Sequence, residues 1–131
     1  MARMQTAALK IAAALTTILL IAHAGAGYAQ VVGASTRCAL VGSTMDRDQP
    51  DRSKIRGIAS YIEETFRTVD KSYKVRGKAE IVPRLSRDGL NRLIAATTVK
   101  CRDSVDRTIQ EVALEIYDGV REMQRALGAA D

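Results

Sequence analysis

Tryptophan is absent from the 131 residues, phenylalanine occurs once, at Phe66, and histidine once, at His23. His23 falls inside an apolar leader, so the rest of the chain carries no imidazole. That removes the usual general base near neutral pH and the usual nitrogen ligand for a metal, and with them the commonest routes to hydrolytic and zinc chemistry. Only two cysteines occur, Cys38 and Cys101, more than sixty residues apart, so there is no Cys-X-X-Cys redox motif. No predominantly apolar run reaches the roughly 20 residues that span a bilayer; the apolar core of the leader, Ile11 to about Ala24, is near fourteen. With so few aromatics, the apolar content is carried by Ile, Leu, Val and Ala, which favours helices packed on aliphatic side chains.

The first 29 residues, MARMQTAALKIAAALTTILLIAHAGAGYA, read as a secretory signal peptide. Arg3 and Lys10 precede an uncharged core from Ile11 to about Ala24, and small residues suited to signal peptidase follow at Ala24, Ala26 and Ala29. Cleavage is expected after Ala29, with Ala26 as the alternative. Removing Arg3 and Lys10 leaves 18 basic against 15 acidic residues, a net charge of +3. The remaining segment, 30–131, has the length of one small domain, a size that gains from a covalent staple. Expected localisation is the periplasm.

Three stretches have helical spacing. Ile55, Ile58, Ala59, Ile62, Phe66 and Val69 form one stripe over Ser53–Val69, with Asp51 or Ser53 as cap. Leu90, Leu93, Ile94, Thr97 and Cys101 form a second, starting near Ser86 or Asp88. Ile109, Val112, Ala113, Ile116, Val120, Met123 and Leu127 form the third and longest. Thr108 and Glu111 have the spacing of a capping box at its start, and Asp103 or Ser104 could cap it one turn earlier. Around Cys38, STRCALV reads as a helical turn or an extended segment, GSTMDRDQPDRS as a loop, and residues 70–85 as a loop or at most a small hairpin. The fold class expected is all-α: a small single-domain helical bundle of three main helices stapled by one disulfide.

In an oxidising compartment, two cysteines in one small domain read as a disulfide. A Cys38–Cys101 bond closes a loop of about 64 residues, for which the chain-entropy relation gives roughly 4 kcal/mol.

The Thr-X-Cys near the start (TRC), the middle helix (IRGIASYIEETF), and the late cysteine followed by a Thr-led amphipathic helix (CRDSVDRTIQEVALEI) together resemble the HdeA/HdeB family of small periplasmic acid-stress chaperones. The resemblance implies a folded form at neutral pH that loosens in acid and exposes apolar surface to unfolding clients. Without histidine, any such response must come from carboxylates. Protonating all 15 takes the charge from +3 towards +18, and self-repulsion then favours opening.

Function is expected to be binding, without a catalytic residue, metal or other cofactor. The partners expected are unfolded periplasmic proteins or, for an immunity or inhibitor module, one specific protein partner. A homodimer face is a further option, nucleic acid is not expected, and membrane contact is confined to the signal before cleavage. Candidate binding residues are Ile58, Ile62 and Phe66 on the first stripe and Met123 and Leu127 at the chain's apolar end. KSYKVRGK supplies a basic loop of Lys71, Lys74, Arg76 and Lys78, flanked by Asp70 and Glu80 and read as a solvated face. Glu63–Glu64 and Glu111–Glu115 are read as solvated carboxylates, because adjacent glutamates on a helix point in different directions and Arg107 lies close to the second pair in sequence.

Overall fold

A computed structural model describes residues 32–128; the expected signal peptide lies outside them. The described residues form four α-helices, a 3₁₀ turn and no strand: α1 (Ala39–Met45), α2 (Arg52–Val75), the turn Val82–Arg84, α3 (Arg87–Arg102) and α4 (Ile109–Ala126). Helices α2, α3 and α4 pack on one another, and α1 lies against α2 and α3.

The all-α class is as expected, but there are four helices among the described residues rather than three. The additional one, α1, takes in the first residues of what reads as a loop. It is seven residues long and buries only Val41 and Thr44, too little for a visible period. Just before it the chain is extended. Arg37 pairs with Thr108 in an isolated antiparallel bridge, where Cys38 N–H donates to Arg107 O (2.8 Å) and Ile109 N–H to Thr36 O (3.0 Å). STRCALV is therefore extended first and helical second.

Helix α2 starts where Asp51 accepts from the backbone N–H of Ser53 (3.0 Å) and Lys54 (3.2 Å), the bonds that free donors at a helix start require. It buries Ile58, Ile62, Thr65 and Phe66, then runs six residues past Val69. The apolar period breaks at position 70 because the next inward residue after Phe66 is an aspartate, and Asp70 is 1% exposed. The helix closes at Gly77, whose φ of +75° suits a residue without Cβ, as Gly77 N–H reaches Lys74 O and Lys78 N–H reaches Tyr73 O. The expected basic loop is thus mostly helix: Lys71 and Lys74 lie on the last turns of α2, Arg76 caps its end and Lys78 follows.

Ser86 caps α3 by accepting from Gly89 N–H (3.0 Å). At α4 the capping box is complete: Glu111 N–H donates to Thr108 Oγ1 and Thr108 N–H to the Glu111 carboxylate, each at 3.1 Å. The core joins Ile58, Ile62 and Phe66 to Leu90, Ile109, Val112 and Tyr117, and Ile81 and Val82 close it from the connecting segment.

Candidate functional site

Cys38 and Cys101 are disulfide-bonded, 63 residues apart in sequence, with Cα atoms 4.8 Å apart and both side chains fully buried. The bond ties the start of α1 to the last turn of α3, directly beneath the bridge that holds the entrance of α4. Charged pairs surround this end. Glu115 on α4 receives Lys100 from α3 and Arg107 from the connecting loop, the latter at 2.6 Å, and Arg102 on α3 pairs with Asp46 at the end of α1. The hydrogen bond from Lys100, then that from Arg107, holds the Glu115 carboxyl below the usual carboxylate range. Further along α2, Glu63 receives Arg67 of its own helix at 2.8 Å and Arg87 of α3 at 3.4 Å. The Arg67 hydrogen bond is the main cause of its lowered pKa, with Arg87 adding to it and partial burial opposing.

A buried polar cluster occupies the opposite end of α4. Asp70 accepts from Ile81 N–H on Oδ1 (3.0 Å) and from Val82 N–H on Oδ2 (2.8 Å), and the Tyr117 hydroxyl donates to Oδ1. Arg121 Nη1 donates to the Tyr117 oxygen (3.0 Å) and Nη2 to Ala79 O (2.9 Å), while its guanidinium lies 3.7 Å from the centre of the Tyr73 ring. Tyr73 also stacks on Tyr117, centroids 5.9 Å apart. Burial first, then the hydrogen bond to Asp70 and that carboxylate's charge, push the Tyr117 phenol well above its usual pKa. The phenol stays neutral and relays between carboxylate and guanidinium. Both carboxylate oxygens and the phenol are engaged from within, so the cluster acts as a clamp that fastens residues 79–82 onto α2 and α4.

The expected site residues separate sharply. Ile58, Ile62 and Phe66 are at most 2% exposed and offer nothing to a partner in this form, because the α2 stripe is covered by α4 and the 79–82 segment. Met123 and Leu127 are exposed. Glu111 serves the α4 cap. Asp70, expected only as a flank of the basic stretch, and Tyr117 and Arg121 are not among the expected site residues. A signal was present: Asp70 lies four residues after Phe66, and Tyr117 and Arg121 lie four apart beside Ile116 and Val120, on the edge of the stripe.

Between α2 and α4 an open depression of about 290 Å³ is lined by Tyr61, Thr65, Thr68, Val69, Gln110 and Leu114, among others. Among the described residues, no group of three or more His, Cys, Asp or Glu is placed to hold a metal ion, and no helix is long and apolar enough to cross a membrane. No family model, curated protein or solved structure matches the chain.

Proposed function

We propose that the protein is an exported, HdeA/HdeB-like acid-stress chaperone that shields its apolar core at neutral pH and offers it to unfolding clients in acid. The observation that carries this reading is the position of Glu63 and Glu115. Each carboxylate receives a cation from a neighbouring helix, Glu63 joining α2 to α3 and Glu115 joining α4 to α3, and both have lowered pKa values. A depressed folded-state pKa contributes stability above the ordinary carboxylate value of 4.5 that is lost as pH falls through the folded value. Acid therefore releases helix-to-helix contacts while raising the net charge, and the disulfide limits how far the chain opens. Ile58, Ile62 and Phe66 are the apolar surface that such loosening would uncover.

The test is light scattering of an acid-denatured client returned to neutral pH with and without the protein. Suppressed scattering is expected, and no suppression at several-fold excess removes the reading. A module for one specific partner is the second reading, favoured by the α2–α4 depression, which is open in the folded form. Neutral-pH capture should then recover one dominant partner that Leu114→Arg abolishes; a diffuse set counts against it.

A further inference from the structure

Lys71, Lys74, Arg76 and Lys78 crowd the end of α2, and no acid occurs among residues 71–78. In their midst Val75 is 88% exposed. The last turns of α4 lie at the same end, since Arg121 sits over Tyr73 and donates to Ala79 O. Beyond Arg121 come Met123 in the last turn of α4 and Leu127 just past its end, 62% and 77% exposed, with Arg125 between them. Three of the five exposed large apolar side chains among the described residues thus gather at one end, amid five cations. Among the described residues, the acids nearby are Glu80, paired with Lys74 at 3.0 Å, Glu122 and, one turn before it, Asp118, while Asp70 beside Lys71 is buried.

We propose that this end of the α2–α4 pair is a peripheral docking surface for a bilayer bearing anionic phospholipid headgroups. Cations close to such a surface are drawn to its negative potential, and long Lys and Arg side chains can keep their charges among headgroups while apolar neighbours enter the acyl boundary. A nucleic acid or other soluble polyanion would engage the cations but leave Val75 and Leu127 in water. The buried Asp70–Tyr117–Arg121 cluster fixes the two helix ends relative to each other, so the patch is presented preformed. Membrane contact would then not be confined to the signal segment.

Co-sedimentation tests this with protein recovered from cells, its N-terminus fixed by intact mass. The vesicles are phosphatidylcholine alone and phosphatidylcholine with phosphatidylglycerol. Binding is expected only to the anionic vesicles and should weaken as salt is added. Reversing Lys71 and Lys78 to Glu together should reduce partitioning at least tenfold, each cation near the surface contributing about fivefold. Val75→Asp and Leu127→Asp should each reduce it with the salt dependence retained. These positions are exposed, and unchanged circular dichroism verifies that the variants fold. Equal binding to both vesicle types, no binding to anionic vesicles at low salt, or indifference to the charge reversals overturns the proposal. Aspartate variants that bind like the parent also overturn it, reassigning the cations to a soluble acidic partner.

Discussion

The two ends of α4 are held by different chemistry. Its entrance, at Thr108 and Ile109, is fixed by a disulfide beneath it and by backbone pairing with Arg37. Its later turns, at Tyr117 and Arg121, are fixed by side chains that converge on one carboxylate. A disulfide acts largely on the unfolded chain by limiting its freedom, whereas the Asp70 cluster acts on the folded chain alone, selecting the one arrangement in which every member is satisfied. The first end should respond to reductant and the second to single-atom changes in the cluster.

The largest effect separating the two ends is expected from Cys38→Ala with Cys101→Ala, or from reduction. The loop they close predicts a loss of about 4 kcal/mol, which for so small a domain approaches its whole stability. Urea unfolding with and without reductant measures it; coincident curves would mean that the covalent end is not the stronger one. Asp70→Asn comes next. An amide can accept from only one of the Ile81 and Val82 N–H groups and turns its own NH₂ towards the other, at a cost of about 3 kcal/mol. Exchange of those two amides should quicken, while that of the Cys38 amide should follow global unfolding alone.

A smaller loss, about 1–2 kcal/mol, is expected for Tyr117→Phe, which leaves Arg121 Nη1 without its partner and Asp70 Oδ1 with one donor fewer. Its pH dependence sharpens the assignment. The folded-state pKa of Tyr117 is raised, so its contribution is complete below the ordinary phenol value of 10 and falls as pH climbs above it. The stability difference between parent and phenylalanine variant should therefore narrow in alkali. A constant gap would show that the phenol is not held neutral by its surroundings.

These two ends were unequally legible in the sequence. The entrance of α4 could be read because its signals are short-range or covalent: Thr108 and Glu111 lie three apart and complete the expected box, and the cysteines form the expected bond. The α2, α3 and α4 stripes were visible for the same reason, each repeating within one helix. The far end was harder to read: four-residue spacings put Asp70, Tyr117 and Arg121 beside the stripes, but Asp70 replaces an aliphatic residue on the buried face and its partners are 11, 12 and 47 positions away. Periodicity treats an inward charge as the end of a helix, which is why the last turns of α2 read as loop. Ile81 and Val82 were hidden similarly: they are buried from an irregular segment that has no period to follow.

The smallest expected effect concerns the ion pairs that link α3 to its neighbours. Glu63→Gln and Glu115→Gln keep side-chain shape and remove the charge from contacts to Arg87, and to Lys100 and Arg107, respectively. Because these carboxylates lie near solvent, each variant should differ only slightly from the parent at pH 7. The sign with pH matters more than the size. Lowered folded-state pKa values mean that the parent's advantage holds above 4.5, shrinks as pH falls and vanishes once both glutamates are protonated, so the curves should converge in acid. The double variant should consequently have a shallower acid transition than the parent, read by tyrosine fluorescence along a pH titration. Parallel curves would place the acid response elsewhere and remove the carboxylate link between α3 and its neighbours from the proposed opening.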